Sequence, residues 1–542
     1  MSFASRIQRL ASETAIYGLS SVVGRLLNYL LVPFYTWYFV PDEYGIVIAL
    51  YAAFVFLNIV YTYGMEAAYL KFASGREGRK RVRITFSTAA LSLLVSSTLF
   101  SLLLVYFKDP IAEIIGLKPP WIYLMHYAAL ILWLDTMAVL PFAELRLANR
   151  PWRFAGTRLA GIVANVLLNI LFIVGLHMGV EAILLANTLS SAIVLLLLSP
   201  VYLKYLRPFF DRKLWSELIR FGWPFLPSGI GYALTEMVSR FYLAHMTREQ
   251  VIALYGEQID LATLEARAQA AAEAIRQAAA QAGTLHTPET LQQITEAING
   301  VYAAYVVGVF GTMYKLGIFM MLFSQMFRFA WQPFFLQHAD DPDAKPLFAR
   351  VFTLFTAAGL TIWLTISFWA DDLVSLPLPR VGYLIEPAYW LGLFIVPIIL
   401  LAYLFQGWYY NFSAGLYIKK QTRYFIHNTL LGGLITLLIN MIGVPYYGMT
   451  AAAWATLLAY AAMALGLWIT ARRFYPIPYA WKHILQMGAI AGLLFILWKM
   501  TPAFQHWIIE LFLVVSFIVS LFLLRILSFR AIRSLISTNR TQ

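Results

Sequence analysis

The sequence predicts an all-α integral membrane protein, and its composition, its long apolar segments and the placement of its positive charges each indicate that class. Hydrophobic residues make up 61% of the 542 residues, charged residues 12%, and the mean hydropathy is +0.70. Soluble domains are about 45–50% apolar and about 25% charged. The chain is therefore too apolar and too poor in charge for a soluble protein.

Apolar segments long enough to cross a bilayer follow one another along the whole chain. About 20 apolar residues in a helix span a hydrocarbon core of roughly 30 Å, whereas the strands of a membrane barrel are only about ten residues long. We expect about fourteen transmembrane helices, near residues 13–38, 44–70, 84–107, 121–144, 154–177, 180–203, 214–243, 301–333, 347–370, 384–413, 424–444, 448–471, 483–500 and 505–527.

Lys and Arg are concentrated in every second loop between these segments. Residues 71–83 hold six of them, whereas the preceding loop, Pro41-Asp42-Glu43, has none. Cytoplasmic loops retain Lys and Arg because these charges resist translocation, so both termini are expected in the cytoplasm. The net charge of +13 then reflects topology and contact with anionic membrane lipids, and we expect no nucleic acid partner.

An internal repeat divides the predicted helices into two lobes. Residues 45–51 resemble residues 308–314 at an offset of 263, and residues 17–18 resemble residues 221–222 at an offset of 204. The difference equals an insertion of about 59 residues between the seventh and eighth helices. Weak internal symmetry of this kind is typical of transporters. We expect six-helix lobes at 1–210 and 211–475, an insert at 245–300, and two further helices with a cytoplasmic tail at 476–542.

The insert has a different composition from the rest of the chain. Residues 257–282 are rich in Ala, Gln and Glu, which favours a soluble helix, and a second helix is expected over 289–298. Acidic residues outnumber basic ones in the insert, which suits the external face. We interpret it as a solvated helical hairpin that caps the bundle; the alternative is a module that docks a partner, such as a glycan-assembly protein.

Ionisable side chains inside apolar helices are the candidate functional residues. No metal-ligand spacing or nucleotide-binding loop occurs, and the absence of cysteine excludes thiolate sites, so we expect no enzyme, metal or cofactor. A charge near the bilayer centre costs a few kcal/mol and normally faces a wet or protein-lined interior. Arg25, Asp135 and Lys315 lie near the middle of their helices; Glu66, Glu236, Arg240 and Arg328 lie nearer the ends.

Each of these residues also has a structural interpretation. Glu236 and Arg240 are spaced to pair on one helix face, Arg328 can extend to the headgroups, and Asp135 can pair with Arg25. For Arg25 and Lys315 we favour a functional interpretation, because each lobe contributes one deeply placed cation. Two such cations facing one cavity would form an anion site, and phosphate is the expected anion.

Four motifs in order resemble a known family. They are Val40-Pro41-Asp42-Glu43-Tyr44-Gly45, Arg146-x-x-x-Arg150-Pro151, the stretch 221–228 that opens the seventh helix, and Tyr314-Lys315 followed by Phe327-Arg328-x-Ala330-Trp331-x-Pro333-Phe334. The chain resembles polysaccharide-biosynthesis flippases, in particular O-antigen-unit translocases, of the multidrug/oligosaccharidyl-lipid/polysaccharide (MOP) exporter superfamily. It departs from them at Ser239-Arg240, where an acidic residue often precedes the arginine, and in the insert.

The resemblance implies two six-helix lobes in a V around a cationic cavity, with two further helices at the C-terminus. Such proteins move an undecaprenyl-diphosphate-linked oligosaccharide across the inner membrane by alternating access. On this chain Arg25 and Lys315 would bind the diphosphate, and Arg240 and Arg328 would guard the two mouths of the cavity. Glu66 and Asp135 are the candidates for coupling to H⁺ or Na⁺.

Three alternative functions stay open at the level of sequence. A lipid II flippase would share the fold and the cationic site. A drug/cation antiporter of the same superfamily would favour acidic cavity residues. A membrane glycan polymerase or ligase would be an enzyme with a large external loop of clustered Arg and His, whereas the insert has three Arg and an Ala-rich helix.

Overall fold

Helices account for nearly all of the chain that the computed structural model describes, which is residues 31–74, 78–379, 382–421, 423–524 and 526. Within these ranges, ten helical stretches are long and apolar enough to cross a membrane. The prediction of a multi-pass α-helical membrane protein is confirmed. Most of the first predicted span, 13–38, lies outside the described residues. Its described part, 31–38, is helical.

The described residues up to Tyr205 form eight α-helices. They are α1 (31–38), α2 (Pro41–Thr62), α3 (Met65–Ala73), α4 (Gly78–Tyr106), α5 (Lys108–Ile115), α6 (Leu124–Leu147), α7 (Pro151–Asn169) and α8 (Glu181–Tyr205). α2 begins with a proline in its first turn followed by Asp42 and Glu43. Proline is pre-shaped for this position, and the acidic side chains complement the positive end of the helix dipole.

The break between α2 and α3 depends on a glycine. Gly64 has φ +73°, a left-handed conformation that glycine adopts without strain, and a Cβ atom at this position would lie 2.4 Å from the carbonyl oxygen of Gly222. Gly222 ends α9 (Arg212–Gly222), which α10 (Phe225–Leu243) follows. The absence of both side chains therefore allows these two helix breaks to meet.

The insert is helical, as predicted. α11 (Arg248–Tyr255) and α12 (Leu261–Ala282) precede α13 (Pro288–Tyr314), which begins in the insert and continues into the apolar segment. α12 corresponds to the helix expected over 257–282, and it buries the apolar residues Leu264, Ala268 and Ala272.

Two helical stretches are too long for a single membrane crossing. Pro288–Gln337 and Arg423–Phe474 contain 50 and 52 residues, about 75 Å of helix each at 1.5 Å per residue, whereas the hydrocarbon core is roughly 30 Å thick. The second stretch is interrupted at Gly448, with φ 49° and ψ −125°. This interruption falls at the turn that the sequence predicts between spans 424–444 and 448–471.

The remaining elements are mostly helices. They are α14 (Ile318–Gln337), α15 (Ala344–Phe368), α16 (Ala370–Val374), α17 (Val396–Ile418), α18 (Arg423–Phe474), α19 (Trp481–Met500) and α20 (Trp507–Leu523), with a small antiparallel hairpin of β1 (Pro377–Leu378) and β2 (Gly382–Tyr383) between α16 and α17. α17 packs against α14 and α15, and α15 also packs against α19 and α20.

The described residues divide into two compact units. The first unit contains the residues up to Thr312 together with Gly433–Ala452, and the second contains Met313–Gly432 together with the residues from Ala453 onward. These bounds differ from the lobes 1–210 and 211–475, which were drawn from the sequence repeat. The lobes stay a prediction.

Within the first unit, α2 and α13 cross through repeat-related residues. A Cβ atom on Gly45 would lie 1.8 Å from the carbonyl oxygen of Ala304, and one on Gly308 would lie 1.9 Å from the carbonyl oxygen of Pro41. The 263-residue offset of the repeat relates residue 41 to 304 and residue 45 to 308, so the two contacts are equivalent with the repeats interchanged. Reciprocal contacts of this kind are typical of a two-fold axis.

Candidate substrate and ion-coupling site

Lys315 lies where the helix through the predicted eighth span is interrupted. Residues Lys315–Gly317 form a 3₁₀ turn between α13 and α14, and the Lys315 side chain is half-buried. A short 3₁₀ stretch inside a longer helix often marks a hinge. A Cβ atom on Gly317 would lie 2.6 Å from Cγ2 of Ile399, so glycine allows α17 to approach the turn closely.

Tyrosine and amide side chains lie beside this turn in the second unit. The ring of Tyr314 is 6.1 Å from that of Tyr403, which is 6.2 Å from that of Tyr460. The buried Gln406 amide donates to the Tyr460 hydroxyl over 2.8 Å. Ser324 donates to the Tyr403 carbonyl over 2.9 Å. The turn with Lys315 is therefore next to hydrogen-bonding groups within an otherwise apolar bundle.

Arg328 lies further along α14. It is 13 residues after Lys315, which corresponds to about 20 Å of helix. Its guanidinium carbon lies 5.1 Å from the ring centre of Tyr410 and 5.3 Å from that of Phe329. Such cation–π contacts hold the charge against an apolar surface. Lys315 and Arg328 thus lie well apart along the helix axis, and their separate roles stay a prediction.

Asp135 is held by hydrogen bonding and charge in the first unit. Its carboxylate accepts a hydrogen bond of 2.7 Å from the Ser191 hydroxyl of α8. Arg158 of α7 interacts with it electrostatically, while the Arg158 guanidinium lies 4.3 Å from the ring centre of Phe142. Asp135 therefore has a cationic neighbour among the described residues, whereas a pair with Arg25 stays a prediction.

A polar face of α8 extends this cluster to two other helices. Asn187 donates to the Tyr51 hydroxyl of α2 over 3.0 Å. Ser190 accepts a 3.3 Å hydrogen bond from Asn165 of α7. We call the set Tyr51, Asp135, Arg158, Asn165, Asn187, Ser190 and Ser191 the polar network. Its carboxylate, amide and hydroxyl oxygens are the ligand types that bind a proton or a hard cation.

Sequence reasoning did not single out Arg158. It lies eight residues into α7, and its partner Asp135 lies on another helix, so the sequence alone gave it no role. The signal that would have found it is its position inside the apolar segment that begins at 154.

Glu66 has a definite partner in the structure. It forms an ion pair with Arg146, at the end of α6. Next to this pair, the Tyr69 hydroxyl donates to the carboxylate of Glu144, whose side chain is buried. Sequence reasoning missed Glu144 because it lies in the last turn of an apolar helix, where a carboxylate ordinarily reaches water.

Arg240 is buried in the first unit near the end of α10. Its guanidinium donates to the backbone carbonyl of Glu236 over 2.5 Å and lies 5.7 Å from the ring centre of Phe310. This contact is to the backbone of Glu236, and the predicted ion pair between the two side chains stays a prediction. Arg25 lies outside the described residues, so the predicted anion site of Arg25 and Lys315 stays a prediction.

Comparison with known proteins identifies the fold. Residues 10–264 match the family model described as "Polysaccharide biosynthesis protein". A structure described as the lipid II flippase MurJ in an inward closed conformation has a TM-score of 0.58 and 13% identity, covering 94% of this chain and 98% of that one. No curated protein sequence gave a match.

Two transporters of the MOP superfamily are also similar in fold. An inward-facing multidrug resistance transporter of the MATE family has a TM-score of 0.53 and 13% identity, covering 83% of this chain and 94% of that one. A transporter from Pyrococcus furiosus, described as having a binding pocket of reverse polarity, has a TM-score of 0.50 and 14% identity, covering 85% and 95%. The chain shares the fold of these transporters, and its residues 10–264, a little under half of the chain, match the polysaccharide biosynthesis family model.

Proposed function

We propose that the protein is a flippase that moves an undecaprenyl-diphosphate-linked oligosaccharide, an O-antigen unit or a related surface-polysaccharide unit, across the bacterial inner membrane by alternating access. The family match supports the polysaccharide part of this proposal. The fold shared with a lipid II flippase supports transport of a lipid-linked sugar, since that relative carries a substrate of the same chemical class.

The position of Lys315 is the observation that best supports the proposal. A lysine half-buried at a helix interruption inside a membrane span can meet a phosphate without first crossing hydrocarbon. A diphosphate is the group of the substrate that most needs such a partner, because its charge is the costliest part of the molecule to move through a bilayer. Arg25 is proposed as the second cation, and Arg240 and Arg328 as the guards of the two mouths.

We place coupling to H⁺ or Na⁺ at Asp135. The Ser191 hydroxyl and Arg158 surround its carboxylate, so uptake of a cation there would compete with the arginine and alter the packing between α6, α7 and α8. Such an exchange is the kind of local change that can bias a two-state transporter. Glu66, which Arg146 engages, is the second candidate for coupling.

Surface-glycan display in cells that carry single variants tests the proposal. Lys315→Ala should abolish display while the protein stays in the membrane, and Lys315→Arg should retain part of it because the charge is kept. Lys499→Ala is the matched control, since Lys499 is exposed at the end of α19. Normal display with Lys315→Ala would contradict the proposal.

The same cells separate the alternative functions. Loss of glycan with normal growth supports an O-antigen-type unit, whereas lysis of the Lys315→Ala cells would indicate lipid II, because peptidoglycan synthesis is essential. A change in drug resistance with normal glycan display would indicate a drug/cation antiporter.

A further inference from the structure

The insert is joined to the start of α2 by a forked ion pair. Nε of Arg267, on α12, donates to Oδ2 of Asp42 over 2.8 Å, and Nη2 of the same side chain donates to Oε1 of Glu43 over 2.7 Å. The Asp42 side chain is only 9% exposed. One guanidinium that satisfies two carboxylates needs the planar fork of arginine, which a lysine does not provide.

The electrostatic environment of Arg267 favours its charge. Burial opposes the charge, but the hydrogen bond that Arg267 donates to Glu43 and the proximity of Asp42 outweigh burial and hold the pKa of the guanidinium above its ordinary value. The two carboxylates also lie in the first turn of α2, where the helix dipole favours negative charge. The three side chains therefore form one stable cluster, which we call the latch.

Two further polar contacts connect the insert to the predicted lobe 1–210. Lys118 forms an ion pair with Glu296 over 3.1 Å. The His245 ring lies 2.8 Å from the backbone carbonyl of Glu113. Each contact joins a residue of the predicted lobe 1–210 to a residue of the insert 245–300. The insert is covalently part of the other predicted lobe, so these contacts link the two lobes at the ends predicted to be external.

Apolar packing between α12 and the membrane helices is thin beside the latch. A cavity of about 340 Å³ lies there. Besides Arg267, α12 contributes only the methyl groups of Ala270, Ala271 and Ala274 to its wall. Little apolar surface is in contact at this point, so the ion pairs beside the cavity are open to screening by salt.

The latch lies beside the crossing of α2 and α13. In alternating access, these two helices would separate when the transporter opens to the outside. α2 and α13 meet through Gly45 and Gly308 just below Asp42 and Glu43, and Ile48 lies against Gly311. Movement of α2 away from α13 would pull its first turn away from Arg267. The same movement of α2 would therefore break the ion pair and open the crossing.

We propose that the insert 245–300 is an external latch, in which Arg267 holds Asp42 and Glu43 and thereby stabilises the state that is closed to the outside. This inference rests on the proposed alternating access of a flippase. It assigns to the insert a role in setting how long the transporter stays closed externally.

Accessibility of a buried cysteine tests the latch. The chain has no cysteine of its own, so Ile48→Cys, at a position that is 5% exposed, gives a single reporter at the crossing. A membrane-impermeant maleimide is applied from the outside to right-side-out vesicles. We expect labelling about tenfold faster when Arg267→Ala is added, equivalent to about 1.4 kcal/mol.

Arg276→Ala is the matched control variant. Arg276 lies on the same helix and pairs within it, with Glu273, so its removal should leave the labelling rate unchanged. Glu43→Arg combined with Arg267→Glu should return the rate towards that of the reporter alone. Equal labelling of the Arg267→Ala and Arg276→Ala proteins would overturn the latch.

A salt titration extends the test to the protein with Arg267 intact. Raising the salt concentration should speed labelling of the Ile48→Cys reporter and have little effect once Arg267→Ala is present, because screening acts on the ion pair. A salt response that is the same in both proteins would also overturn the latch. Labelling needs no glycan substrate, so these results are separable from the glycan-display test of the flippase.

Discussion

A disulfide across the repeat-related crossing should lock the protein closed to the outside. The ideal Cβ position of Gly311 lies 2.6 Å from Cγ2 of Ile48. One carbon–carbon bond of about 1.5 Å separates that atom from Cβ of Ile48, so the two Cβ atoms are at most about 4.1 Å apart. Disulfides join Cβ atoms about 3.5–4.5 Å apart. Ile48→Cys with Gly311→Cys should therefore form a disulfide under mild oxidation, because the first substitution removes the atoms that crowd the second.

The expected consequence is a reversible loss of transport. With the crossing covalently closed, α2 cannot leave α13, so surface-glycan display should fall at least tenfold under oxidation and recover after reduction. Disulfide formation is measured independently by counting free thiols in the denatured protein. Each single-cysteine variant should respond to neither treatment.

A second pair of cysteines supplies the control for oxidation itself. Gly161 and Val194 lie on α7 and α8, inside one predicted lobe, and the ideal Cβ of Gly161 is 3.9 Å from Cβ of Val194. Gly161→Cys with Val194→Cys should also form a disulfide and leave glycan display unchanged. Complete disulfide formation at 48 and 311 with undiminished display would refute alternating access through this crossing.

Other predictions concern stability and pH. Tyr69→Phe removes the hydroxyl that donates to the buried Glu144 carboxylate, and should lower the unfolding free energy by about 1–3 kcal/mol, seen as earlier thermal unfolding in detergent. Gly308→Ala should destabilise the protein in the same assay, since its Cβ would lie 1.9 Å from a carbonyl oxygen of α2. Hydrogen bonding from Tyr302 lowers the pKa of Glu265 below its ordinary 4.5. Its contribution to insert stability is complete above pH 4.5 and is lost as the pH falls through the lowered value, so the protection of α12 amides from exchange, relative to the intrinsic rate at each pH, should fall in acid and much less so in Glu265→Gln.

The membrane fold could be predicted because its determinants are local in the sequence. A helix of about 20 apolar residues satisfies its own backbone hydrogen bonds in lipid, so hydropathy alone indicates each span. Helix α12 was predictable for a similar reason, since Ala, Gln and Glu favour a helix wherever they are clustered. The resemblance to a known family followed from motifs that keep their order along the chain.

The contacts that organise the candidate sites depend on packing between distant segments. Asp42 and Glu43 are 225 and 224 residues from Arg267 in the sequence, and they indicated topology and a family motif but no partner. The partnership of Asp135 with Arg158 requires α6 and α7 to present particular faces to each other. No local pattern encodes either contact.

The repeat was predictable as a sequence offset, but its physical meaning was not. Residues 45–51 and 308–314 were recognised as similar. Only the structure shows that Gly45 and Gly308 make reciprocal contacts, each with a carbonyl oxygen four residues before the other glycine. The sequence similarity thus reflects a shared requirement for close backbone approach.

Transfer of lipid-linked sugar in proteoliposomes tests the central claim most directly. The purified protein is reconstituted with an undecaprenyl-diphosphate-linked oligosaccharide, and arrival of the sugar at the opposite leaflet is followed by its cleavage with an added glycosidase. We expect transfer well above that of protein-free liposomes, greatly slowed by Lys315→Ala and partly kept by Lys315→Arg. Transfer by the Lys315→Ala protein at the rate of the unmodified protein, or no transfer by the unmodified protein, would contradict the proposed flippase function.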